Sequence, residues 1–112
     1  MKRVYTYTSA TAVAASCAIT DEIKITQIDI HFNTAPTTSE ALTMKLNSNA
    51  GATYDTLLYS VDPSVLSITD IHMSEGGNDS PLPVSLVIGD SLDIAYPNTD
   101  TKTVTVSVYY EV

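Results

Sequence analysis

From Val104 to the end of the chain every second residue is apolar: Val104, Val106, Val108, Tyr110 and Val112, alternating with Thr105, Ser107, Tyr109 and Glu111. Side chains of an extended strand point to opposite faces in turn, so this period of two builds one apolar face and one polar face. No helix segregates such a pattern. The same period recurs along the chain. Val4 to Thr8 is rich in β-formers, and Ala12 to Ile19 is a run of small residues that fits an edge strand. Ile23 and Ile25 alternate, then Ile28, Ile30 and Phe32 do so after a slip at Thr26 and Gln27. That slip would turn the apolar face over unless one residue bulges, so a β-bulge is expected at this pair. Further alternating sets are Leu42, Met44 and Leu46; Leu57, Tyr59 and Val61; Ile71 and Met73; Leu86 and Ile88; and Leu92, Ile94 and Tyr96.

Turn signals separate these sets: Asp62-Pro63, "SEGGNDSP", Gly89-Asp90 and Pro97-Asn98. About eight short strands with breakers every ten or so residues predict an all-β sandwich. A single-domain antiparallel sandwich of jelly-roll type is the expected fold, with an immunoglobulin-like sandwich as the alternative. Residues 1–20 are expected to form an N-terminal arm or edge strand, and residues 21–112 the sandwich domain. Helical readings are weak. Ser39 before "EALTMKL" resembles a helix start, but the Leu42, Met44, Leu46 spacing argues for strand, and "DPSVLSI" has room for one short turn. Pro36 holds Ala35 extended, which suits a crossover between sheets better than a tight hairpin.

Of the 112 residues, 44% are hydrophobic and only 16% charged, so Thr, Ser and Asn cover most polar positions. Formal net charge is -8, with five Lys and Arg in total. Phosphate backbones are bound by such cations, so neither nucleic acid nor an anionic membrane is an expected partner. No apolar stretch has the length of a membrane-spanning helix. "MKR" followed by small residues near Cys17 has the outline of a secretory signal, but Thr6, Thr8, Ser9 and Thr11 break its apolar region, so no cleaved signal is expected. Cys17, the single cysteine, excludes an internal disulfide and reads as a buried small apolar residue.

One echo raises the question of a site. Asp29-Ile30-His31-Phe32 recurs in type as Asp70-Ile71-His72-Met73. Residues two apart share a strand face, so Asp29 projects with His31 and Asp70 with His72. On neighbouring strands the four would form a plausible set for zinc or another divalent ion. Their spacing matches no established metal motif, and the expected reading is the polar face of two strands, with the imidazoles in solvent or at a subunit contact. No metal or other cofactor is expected. No Gly-x-Ser-x-Gly elbow occurs, no cysteine-protease motif surrounds Cys17, and no Trp offers a sugar platform, so no catalytic residues and no enzyme activity are expected. "GGNDS" and "PNTDTK" carry enough oxygens for calcium, but turn chemistry explains both. Asn78-Asp79-Ser80 is formally a glycosylation sequon, followed by Pro81. Tyr5, Tyr7, Tyr109 and Tyr110 are the candidate protein-interface residues, with Tyr109 and Tyr110 on opposite sides of the last strand.

The segments "ITQIDIHFNTAPTTSEALTMKLNSNAGATYDTLLYSVD" and "IGDSLDIAYPNTDTKTVTVSVYYEV" resemble small β-sandwich virion structural proteins of tailed bacteriophages. The similarity runs from Ile25 to the C-terminus and carries no catalytic or binding signature. It implies a virion location on the capsid surface and assembly as a homo-oligomer, commonly a trimer. Its implied partner is the major capsid protein or another virion protein. The expected function is non-enzymatic: a capsid decoration or cement protein that bridges capsid subunits, or alternatively a receptor- or glycan-binding module of a fibre or tail.

Overall fold

The structure is a computed structural model that describes all residues except Ala52, Tyr54, Leu66, Asn78 and Asp79. The described residues form nine strands and no helix: β1 (Lys2–Ser9), β2 (Val13–Ala18), β3 (Ile23–Phe32), β4 (Leu42–Asn47), β5 (Thr56–Val61), β6 (Asp70–Ser74), β7 (Val84–Leu86), β8 (Ser91–Tyr96) and β9 (Val104–Glu111). All strand pairs are antiparallel. One sheet has the order β1-β9-β3-β6, with short β7 also on β3, and the other has β2-β8-β4-β5. Chain neighbours mostly lie in opposite sheets, and first and last strands pair side by side. This interleaving is the jelly-roll order, and it sets aside the immunoglobulin-like alternative.

The alternating apolar residues meet between the sheets. Ile25, Ile28, Ile30, Phe32, Val104, Val106 and Val108 of the first sheet face Leu42, Met44, Leu92, Ile94 and Tyr96 of the second, all essentially solvent-free. Phe32 and Tyr96 pack edge to face, with ring centroids 5.6 Å apart. Along β2, Val13, Ala15 and Cys17 point inward, so Cys17 is a buried free thiol whose pKa burial raises. The link through Pro36 does cross from one sheet to the other. In "DPSVLSI", where Leu66 lies outside the described residues, Ile68 N donates to Pro63 O at 3.0 Å.

The expected bulge is present. β3 pairs with β9 at Ile25↔Tyr110 and next at Gln27↔Tyr109, leaving Thr26 as the extra residue. A second bulge corrects the sequence reading of β5. Met44 pairs with Tyr59 and Lys45 with Leu57, so Leu58 is the extra residue. Leu58 packs against the core, while Leu57, expected beside Tyr59 and Val61, is 55% exposed. Ile88 is also corrected. Strand β7 ends at Leu86, and Ile88 lies in an exposed turn closed by Asp90 N donating to Val87 O at 3.1 Å. Asp90 is buried and accepts from Val87 N at 3.2 Å and Asn49 N at 3.0 Å. Gly89 in that turn has φ +94°, and a Cβ there would come within 2.6 Å of the Asn49 side chain.

Residues 1–20 contribute one edge strand to each sheet. β1 pairs with β9 from Lys2↔Glu111 to Ser9↔Val104, and β2 pairs with β8 from Val13↔Tyr96 to Ala18↔Ser91.

Candidate functional site

The repeated Asp-Ile-His tripeptides are hydrogen-bonded neighbours. β3 and β6 pair in the register Asp29↔His72, Ile30↔Ile71 and His31↔Asp70. A tripeptide laid antiparallel to its own repeat sets each acid opposite a histidine, so the echo in the sequence becomes a reciprocal pair of contacts. Ile30 and Ile71 turn inward to the core, which sends all four polar side chains to the outer face. His31 Nδ1 lies 2.7 Å from Asp70 Oδ1, and His72 Nδ1 is likewise bonded to Asp29 Oδ1. Each carboxylate has a further partner: Gln27 Nε2 donates to Asp29 Oδ2 at 2.8 Å, and Thr69 Oγ1 donates to Asp70 Oδ2 at 3.1 Å. The His31 hydrogen bond holds the Asp70 carboxyl below its ordinary range, against a smaller opposing effect of desolvation.

The register across the sheet gives the surroundings. Thr8, Thr105, His31 and Asp70 form one row, and Thr6, Ser107, Asp29 and His72 the next. Val4, Tyr109, Gln27 and Ser74 follow, and then Lys2, Glu111 and Lys24. Lys24 Nζ reaches Glu75 at 3.2 Å and Glu111 at 3.7 Å. The face is therefore polar, and Val4 and Tyr109 are its large apolar side chains. A shallow groove of about 460 Å³ runs over the lower rows beside the Thr26 bulge, lined in part by Tyr109, Gln27, Glu75 and Glu111. Thr105 is the hydroxyl in register with His31, but its Oγ1 is bonded to Thr8 Oγ1 at 3.5 Å.

Among the described residues, no three His, Cys, Asp or Glu side chains gather as a metal-binding group. Strand register thus brings Asp29, His31, Asp70 and His72 onto one face but splits them into two pairs. The tyrosine candidates separate as well. Tyr5, Tyr7 and Tyr110 are half-buried and pack against the core, and Tyr109 is the one of the four that faces out. The "PNTDTK" loop uses its oxygens internally. Asp100 accepts from Thr37 N and Thr38 N, both at 2.8 Å, and from Thr38 Oγ1 at 2.6 Å. These bonds lower the Asp100 pKa to about 2. Buried Asn98, at φ 55°, donates to Thr11 O and Lys102 O and accepts from Lys102 N. In "GGNDS", Asn78 and Asp79 lie outside the described residues.

Sequence reasoning missed two sites of fixed polar structure, Asp90 and Asn98, because a buried Asp or Asn is indistinguishable in sequence from an ordinary turn residue. Compared with protein-family models and with curated proteins, the chain matches none.

Proposed function

We propose that this chain is a non-enzymatic virion structural protein of a tailed bacteriophage, acting on the capsid surface as a decoration or cement protein. The observation that carries the reading is the jelly-roll sandwich with a filled core. Such a body offers area for contact with another protein. The second sheet presents Ala14, Ala95, Thr43 and Ser60 in one row, and Ser16, Asp93, Lys45 and Leu57 in the next. The small side chains of the first row let another protein surface approach closely. The partner in this reading is the major capsid protein or another virion protein, bound by a homo-oligomer, with a trimer as the favoured assembly. The resemblance of residues from Ile25 onward to phage sandwich proteins supports the same reading.

The test is re-addition of purified protein to capsids stripped of it, with light scattering giving the stoichiometry. Saturable rebinding with a gain in capsid heat stability is the expected result; failure to associate would overturn the reading. A second reading, a glycan- or receptor-binding module of a fibre or tail, is favoured by the groove at Tyr109, where an aromatic ring lies beside Gln27, Glu75 and Glu111. Glycan-array binding lost in Tyr109→Ala would favour it over the cement reading.

A further inference from the structure

We infer that His31 and His72 form a chelating pair for one late first-row divalent cation, such as zinc, nickel or copper, on the outer face of the first sheet. The inference is independent of the virion reading. It starts from the hydrogen bonds of the rings. Each imidazole uses Nδ1 towards a carboxylate: His31 to Asp70 at 2.7 Å, and His72 to Asp29. An ionised carboxylate only accepts, so the neutral ring carries its proton on Nδ1 and its lone pair on Nε2. A carboxylate behind the imidazole is also the usual second contact of a metal-bound histidine, where it fixes the ring and raises its basicity. Here the carboxylates are themselves held, Asp29 by Gln27 and Asp70 by Thr69. The tautomer that a metal requires is therefore set in advance.

Position completes the argument. His31 sits on β3 and reaches to β6, while His72 sits on β6 and reaches to β3, so both rings lie over one seam between the strands. They occupy successive rows of one face, roughly 7 Å apart along the strands. Both side chains are 61% exposed, which leaves each Nε2 open to solvent. Two nitrogen donors suit the borderline ions and not calcium or magnesium, which take oxygen ligands. The coordination is two protein nitrogens with water in the remaining positions. An ion held this way would tie edge strand β6 to β3.

The test uses the full chain without a polyhistidine tag, titrated calorimetrically with zinc chloride and with nickel chloride. One saturable site per chain is expected, together with a rise in melting temperature on adding zinc. His31→Gln and His72→Gln should each weaken binding at least about tenfold, and Asp29→Asn with Asp70→Asn by roughly 10–100-fold. Nickel added to the unmodified protein should broaden amide NMR signals around His31 and His72 first, a readout that needs no variant to fold. Absence of binding, an affinity unchanged from the parent in both histidine variants, or broadening centred elsewhere would overturn the inference.

Discussion

Asp100 shows how one side chain can anchor two loops. Its carboxylate receives two backbone amides and a hydroxyl from Thr37 and Thr38, fixing the crossover link of β3 and β4 to the loop before β9. Those bonds favour the charged form, so the folded pKa is about 2 against 3.8 for an unperturbed carboxyl. A depressed pKa contributes stability that is complete above the unfolded value and is lost as pH falls through the folded one. Asp62 is shifted in the same direction, by Ser39 and Ser64 first, so it adds to the same acid limb. Asp100→Asn should therefore melt lower than the parent at pH 6, and the gap should narrow towards pH 2. Thermal melts of both proteins at the two pH values check this; a gap of equal size at both would show that the charge is not the source. The sequence marked "PNTDTK" as an oxygen-rich turn but gave no sign of this role. The donors come from residues more than sixty positions earlier, and such separations are invisible to local pattern.

At the level of strands, what was legible depended on whether polar residues interrupted the apolar period. Thr26 and Gln27 break the run in β3 visibly, and the bulge falls there. In β5, Leu57 and Leu58 are both apolar, so two phases fit equally and the bulge had no signature. The consequence is testable by urea unfolding. Leu57→Lys, on an exposed position opposite Lys45, should change stability by no more than about 0.5 kcal/mol. Ile30→Ala, in the solvent-free centre of β3, should cost about 2–5 kcal/mol. A large loss from Leu57→Lys would mean that β5 pairs in the other phase. The candidate site divides in the same way. Asp-Ile-His repeats are visible in the sequence, and so is the shared face within each strand. Their adjacency was not, because β3 and β6 are joined by some forty residues and strand order within a sheet is a long-range property.

For the whole molecule, the decisive contacts join the two ends of the chain. Lys2 pairs with Glu111, and Val112 N donates to Met1 O at 3.0 Å. β9 thus lies between β1 and β3, and its inward Val106 and Val108 stand opposite Tyr7 and Tyr5 of β1. The sequence left residues 1–20 as either an arm or an edge strand because strong β-formers suit both. An arm that reaches for a neighbour leaves its own sandwich intact when removed. An edge strand does not: without β1, the amides along one side of β9 lose their partners, and apolar surface under Tyr5 and Tyr7 meets water. Deleting Lys2 to Ser9 is therefore expected to lower the melting temperature by at least about 10 °C. Light scattering should also show self-association through the newly exposed edge of β9. An unchanged melting temperature and a single unassociated species would mean that the sandwich closes without β1, and that the segment is free to serve as an arm.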